Sequence, residues 1–97
     1  MFDIQFRDYP TKKAKKLVKK NPKLQAIIAK TLIKMKNNPF DLSLKTHKVN
    51  SKLFGFKYSS SINGDLRFIW DFDETTLEIK IVEIFDIGGH SGSGGVY

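Results

Sequence analysis

The sequence predicts an α+β domain in which one curved antiparallel sheet packs against a hairpin of two helices. Three observations support this fold class: short segments of alternating apolar residues near both ends, two segments with helical periodicity between them, and an Asn63-Gly64 hairpin signal. Each helix has a single apolar stripe, so each needs a sheet face to cover it. With 97 residues, 40% of them apolar, the chain suits a single domain spanning residues 1–97.

The N-terminal part predicts a strand followed by a helix. The strand is indicated by apolar residues that alternate with polar ones, namely Phe2, Ile4 and Phe6. Pro10 and Thr11 are typical of a helix start. The helix then carries a narrow apolar stripe of Ala14, Leu17 and Val18 among six lysines, whose like charges repel one another. It therefore depends on tertiary packing or on an anionic partner.

A second helix is predicted between Asn21 and Asn38. Asn21 suits the N-cap position and Pro22 the first helical position, while Asn37-Asn38-Pro39 predicts the end. One side of this helix is apolar at the 3.6-residue period: Leu24, Ile27, Ile28, Thr31, Leu32 and Met35. A tight turn between the two helices makes them a hairpin.

The rest of the chain predicts a loop over residues 40–52 and then three antiparallel strands. Alternation identifies the first strand by Phe54, Phe56 and Tyr58, and the second by Leu66, Phe68, Trp70 and Phe72. Arg67 then faces the opposite way. A turn over Asp73–Thr76 precedes the last strand, Leu77–Asp86, whose adjacent apolar pairs indicate burial on both faces or a bulge. Five of the seven glycines fall in residues 88–97, which predicts a flexible Gly/Ser-rich tail.

The charge distribution favours an anionic partner. The net charge is +7, and ten of the 17 basic residues lie in Lys12–Lys36, a segment with no acidic residue. The alternative is that this surface is simply solvated. The chain has no cysteine, no signal-peptide pattern and no apolar run of membrane-spanning length, so we expect a cytoplasmic protein that does not contact a membrane.

Several residues of the second half suit metal-free cleavage of a phosphodiester. A histidine transfers protons near neutral pH, and an arginine presents a fixed fork of donors to a phosphate. The chain has only two histidines, His47 and His90, and they are too far apart in sequence to indicate a metal site. Alternatively, both are loop histidines, and Arg67 pairs across strands with Glu78 or Glu83. Asp65 would either orient a catalytic base or simply follow the Asn63-Gly64 turn, and the role in the turn is favoured.

Five short blocks follow one another along the second half of the chain: Leu44–Val49 (LKTHKV), Leu53–Phe56 (LFGF), Asp65–Trp70 (DLRFIW), Ile87–His90 (IGGH) and Val96–Tyr97 (VY). Their order and spacing resemble the RelE/ParE superfamily of bacterial toxins from type II toxin–antitoxin systems, and most of all its RelE- and YafQ-like branch of ribosome-dependent mRNA interferases. The resemblance covers most of the chain, including the helical hairpin. The Gly/Ser residues between His90 and Tyr97 depart from the family pattern, in which the two are closer.

The resemblance implies a RelE-like fold and an mRNA endoribonuclease that acts by 2′-hydroxyl attack on the adjacent phosphate, without a cofactor. The catalytic residues would be His90, Arg67, His47 and Tyr97, and RNA would be bound by Lys45, Lys48, Lys52 and Lys57. The basic helices would contact ribosomal RNA and an acidic segment of a cognate antitoxin. Two alternatives remain open: an inactive member that only binds its antitoxin, and a ParE-like gyrase inhibitor.

Overall fold

The computed structural model describes residues 2–73 and 81–88, and within them it has two α-helices and five strands. In chain order the elements are β1 (Asp3–Phe6), α1 (Asp8–Lys20), α2 (Leu24–Asn37), a 3₁₀ turn (Leu42–Leu44), β2 (His47–Ser51), β3 (Gly55–Ser61), β4 (Arg67–Asp73) and β5 (Ile81–Gly88). The α+β class and the pair of consecutive helices are confirmed. None of the helices in this part of the chain is long and apolar enough to cross a membrane.

The sheet has the order β1-β5-β4-β3-β2, and two details of the predicted sheet are wrong. First, β1 runs parallel to β5, with Asp3 opposite Ile81, whereas the other neighbours are antiparallel. Both helices and three strands lie between β1 and β5 in the chain, which is ample length for a parallel crossover. Second, the predicted loop over residues 40–52 contains β2. This edge strand has one apolar residue, Val49, and so shows no alternation.

The two faces of the sheet differ, and we call them the inner face and the outer face. The inner face carries Phe68 and Trp70 of β4, both fully buried, with Ile84 and Ile87 of β5. Together with buried residues of α2, such as Met35, they form the main core. Strand alternation directs Arg67, Ile69 and Asp71 to the outer face, as the sequence predicted for Arg67.

Two irregularities shape the β3–β4–β5 region. The loop between β3 and β4 is longer than the predicted two-residue turn. The Ile62 amide donates to the Leu66 carbonyl at 2.8 Å, so residues 63–65 lie between the last paired residues. The Asn63 side chain closes the loop by accepting from the amides of Asp65 and Leu66, so the turn role of Asp65 is the one observed. In β5 the register shifts opposite Ile69 and Trp70, which is the bulge alternative of the two predicted.

The helix ends differ from the predicted boundaries by a few residues. Helix α1 begins at Asp8, so buried Pro10 lies inside the first turn, where no backbone donor is needed. Asn21 ends α1 instead of capping α2: its amide donates to the Leu17 carbonyl, and its own carbonyl accepts from Leu24. Helix α2 ends at Asn37, as predicted.

Candidate functional site

The register of the sheet brings the residues predicted on separate segments to one face. His47 of β2 lies opposite Ser59 of β3, which in turn lies opposite Ile69 of β4. Arg67 is two residues along β4 from Ile69, and it pairs with Ser61 on one side and with Gly88 on the other. Strand spacing and rise place the Cα atoms of His47 and Arg67 about 12 Å apart on the outer face. A substrate that contacts both side chains must span this distance.

Arg67 has an unusual environment. Its side chain is half-buried, and its Nε atom is buried without a hydrogen-bond partner. No ion pair with Arg67 occurs among the described residues, although the alternative partners Glu78 and the Glu83 side chain lie outside them. A buried donor on a charged group is costly to leave unpaired. The arrangement therefore suits an anion that approaches the outer face and accepts from the guanidinium.

The His47 ring is exposed but fixed in orientation. Its Nδ1 lies 2.9 Å from the backbone carbonyl oxygen of Lys45. A carbonyl oxygen only accepts, so Nδ1 carries the proton, and in the neutral ring Nε2 keeps its lone pair. Lys45 itself adopts the left-handed conformation, with φ of 51°, which is uncommon outside glycine and asparagine. This local backbone strain sets the carbonyl that orients the ring.

The segment before β2 is held by short polar contacts. The Asp41 side chain accepts from the Ser43 hydroxyl at 2.6 Å and from the Ser43 amide at 2.9 Å. These two bonds, the hydroxyl contact first, hold the pKa of Asp41 below its ordinary value of 3.8, with a smaller contribution from Lys34. Thr46 anchors the other end by donating to the Pro39 carbonyl at 2.6 Å. These contacts fix the segment that leads into His47.

The four lysines predicted to bind RNA occupy different surfaces. Lys45 is exposed beside His47, and Lys52 is exposed in the turn between β2 and β3. Lys57 points to the outer face, where its Nζ lies 3.5 Å from an Asp71 carboxylate oxygen. Lys48 points to the inner face, with its Nζ 5.6 Å from the centre of the Tyr58 ring. Of the two lysines that lie on strands, only Lys57 therefore shares the outer face with His47 and Arg67.

The remaining two predicted catalytic residues, His90 and Tyr97, lie outside the described residues. The last described position is Gly88, which belongs to β5 rather than to the predicted tail and pairs with Arg67. The rest of the predicted flexible tail also lies outside them. Within the described residues there is no group of three or more His, Cys, Asp or Glu side chains that could hold a metal ion.

A groove of about 610 Å³ runs between the two helices and beside β1. Its floor is apolar, with Phe6, Val18 and Ile28 among the lining residues, and Lys15 and Lys19 stand at its wall. Other lysines of the two helices, such as Lys12 and Lys16, are exposed. These lysines belong to the basic segment Lys12–Lys36, and β1 is at one end of the described strand order.

One buried ion pair was not anticipated. The Lys13 ammonium of α1 donates to an Asp86 carboxylate oxygen of β5 at 2.8 Å, and Asp86 is only 1% exposed. The same oxygen accepts from the Ile87 amide. Asp86 pairs with Ile69, so the contact ties α1 to the strand beside Arg67. In the sequence, Asp86 stands within the otherwise apolar segment 84–87. An acidic residue in such a segment indicates a buried carboxylate that needs a cationic partner.

Comparison with protein-family models found no match to this chain, and comparison with curated protein sequences found none either. The outer face of the sheet and the motif blocks are therefore the features of this chain that bear on its function.

Proposed function

We propose that this protein is a RelE-like toxin of a type II toxin–antitoxin system, and that it cleaves mRNA on the ribosome. The observation that carries the proposal is that Arg67 and His47 lie on the same face of the sheet. The buried Nε of Arg67 lacks a hydrogen-bond partner, and Nε2 of His47 is left as an acceptor. The motif blocks and the α+β arrangement add support. The localisation that follows is cytoplasmic.

The proposed reaction needs no metal. His47 Nε2 accepts the proton of the ribose 2′-hydroxyl, and the resulting oxygen attacks the adjacent phosphorus. Arg67 donates to the phosphate oxygens, on which negative charge develops. The bond from phosphorus to the 5′-oxygen breaks, and that oxygen takes a proton, leaving a 2′,3′-cyclic phosphate and a 5′-hydroxyl. By resemblance, His90 supplies this proton and Tyr97 assists, while Lys45, Lys52 and Lys57 hold neighbouring phosphates. Lys48, also predicted to bind RNA, points to the inner face and would meet only RNA that passes around the edge of the sheet.

The helical surface supports the partners of the proposal. Lysines of α1 and α2 attract the phosphate backbone of ribosomal RNA without regard to sequence. The groove between the helices, apolar inside and cationic at Lys15 and Lys19, suits an acidic antitoxin segment that neutralises the toxin. The ribosome would align the mRNA, because about 12 Å separates the His47 and Arg67 backbones and a substrate must bridge them.

The test is mRNA cleavage in a reconstituted translation system. Wild-type protein should cut mRNA only when ribosomes are present. Arg67→Ala and His47→Ala should each lower the rate by about 10²-fold or more, the scale expected for a lost charge stabiliser or proton acceptor. His90→Ala and Tyr97→Ala test the residues implied by resemblance. Leu42→Ala, which changes a side chain that is 93% exposed and has no role in the proposal, serves as a surface control.

Intact mRNA with wild-type protein would refute the interferase. An antitoxin-only member would still bind an acidic antitoxin segment, and a ParE-like protein would inhibit DNA supercoiling by gyrase, so those two assays separate the alternatives. Cleavage that persists unchanged in Arg67→Ala would show that the outer face is not where the reaction occurs.

A further inference from the structure

A second surface with features of a nucleic-acid site lies on the inner face of the sheet, beyond the two helices. Tyr58 stacks on buried Trp70 with ring centres 4.7 Å apart, and Phe40 meets both rings edge-on at 5.4 and 5.7 Å. Phe40 remains 47% exposed. Phe56, two residues before Tyr58 on the same face, is 77% exposed. The cluster therefore presents large aromatic surface to solvent.

A small cleft opens beside these rings. Its volume is about 260 Å³, and its lining combines three rings with charged groups: Lys48, Phe56, Lys57, Tyr58, Asp71 and Phe72. Lys48 already lies over the Tyr58 ring. Lys57 and Asp71 also line the cleft, but their side chains belong to the outer face, where they pair at 3.5 Å.

From this chemistry we propose that the cleft, which we call the aromatic cleft, binds an unpaired nucleobase of a single-stranded nucleic acid. A base stacks on an aromatic ring irrespective of its identity, and cations beside the ring hold the adjoining phosphate. Phe56 supplies the exposed ring, and Lys48 supplies the phosphate contact. The charge of the chain, +7, favours the same partner.

This surface is distinct from the outer face that carries Arg67 and His47. Alternation along β2 and β3 places Lys48, Phe56 and Tyr58 on the inner face. Binding here requires no 2′-hydroxyl and no proton transfer. The inference goes beyond the proposed cleavage and does not depend on it.

The experiment is titration of the full-length protein with a short oligothymidylate, followed by the fluorescence of the single tryptophan, Trp70. The deoxy chain has no 2′-hydroxyl, so the proposed reaction cannot consume it. An abasic oligonucleotide of equal length provides the same phosphates without bases. We expect the base-containing strand to bind more tightly than the abasic strand, by roughly 5- to 100-fold, which is the scale of one stacked base.

Substitutions at Phe56 distinguish stacking from general apolarity, and its exposure makes a folding defect unexpected. Phe56→Tyr should retain binding, whereas Phe56→Leu should reduce it about fivefold or more for oligothymidylate and not for the abasic strand. Leu53→Ala is the matched control, because Leu53 is 58% exposed in the preceding turn and does not line the cleft. Lys48→Ala should reduce the slope of log affinity against log salt by about 0.7.

Two results would overturn the proposal. The first is equal affinity for base-containing and abasic strands, since charge alone would then explain binding. The second is a self-associating protein that binds neither oligonucleotide and that Phe56→Leu dissociates, which would make this surface a contact between protein copies.

Discussion

Replacing Arg67 with methionine should make the protein more stable and remove its affinity for phosphate. The wild-type side chain keeps a buried Nε without a hydrogen-bond partner, a loss worth about 1–3 kcal/mol for a buried donor. Methionine fills similar space without a polar group. Because the guanidinium is only half-buried, we take the lower end, a gain of about 1 kcal/mol in the free energy of unfolding. For a domain of this size, that raises the Tm by about 4–8 °C.

The assay is thermal unfolding with and without inorganic phosphate. Phosphate binding to the native state at ten times its Kd should stabilise the wild-type protein by about 1.4 kcal/mol and leave Arg67→Met unchanged. Arg7→Met is the control, because it removes the same charge from the other arginine, which does have an interaction partner. A lower Tm for Arg67→Met than for Arg7→Met, with an equal phosphate response in both, would refute the reasoning that Arg67 is held ready for an anion.

Two further predictions concern interactions away from Arg67. Lys13→Ala leaves the buried Asp86 carboxylate without its 2.8 Å partner, so it should lower the free energy of unfolding in urea by about 2–4 kcal/mol. The control Lys12→Ala should change that free energy by less than about 0.5 kcal/mol. Equal effects of the two substitutions would contradict a structural ion pair. The pKa of Asp41 is lowered in the folded protein, so its contribution to stability is present above the pKa of the unfolded state and is lost as the pH falls through the pKa of the folded state. Ser43→Ala should move the pKa of Asp41 back up toward 3.8, as measured by an NMR titration. An unchanged pKa would rule out the Ser43 contacts as the cause.

The sequence predicted the elements whose residues alternate or repeat with a clear period, and it failed where packing replaces pattern. Helix α2 and the β4 strand were recognisable because one side of each is apolar. β2 was not, because its five residues include only Val49 as an apolar side chain and it is stabilised by pairing with β3. The hairpin loop differs from the predicted turn because the Asn63 side chain, rather than a backbone turn type, satisfies the amides.

The candidate site was predictable as a set of residue types but not as an arrangement. Arg67 could be assigned to the face opposite the core from alternation alone. The tautomer of His47 could not be assigned from the sequence, because it depends on the Lys45 carbonyl. Lys45 has a left-handed backbone conformation, which a lysine does not favour. The separation of Lys48 from Lys57 likewise required the register, because the one-residue offset that divides the two faces becomes visible only when β2 is recognised as a strand.

The position of the helices explains why one strand serves both proposed surfaces. Helix α1 packs mainly against β5 and α2 against β1, so the inner face at β2 and β3 is left to Phe40 and neighbouring rings. β2 is the edge strand, and successive residues on it point to opposite faces: His47 to the outer face and Lys48 to the inner face. A nucleic-acid strand passing around this edge would meet both. Because both side chains are set by one register, shifting β2 by a single residue would exchange them and disable the two surfaces together.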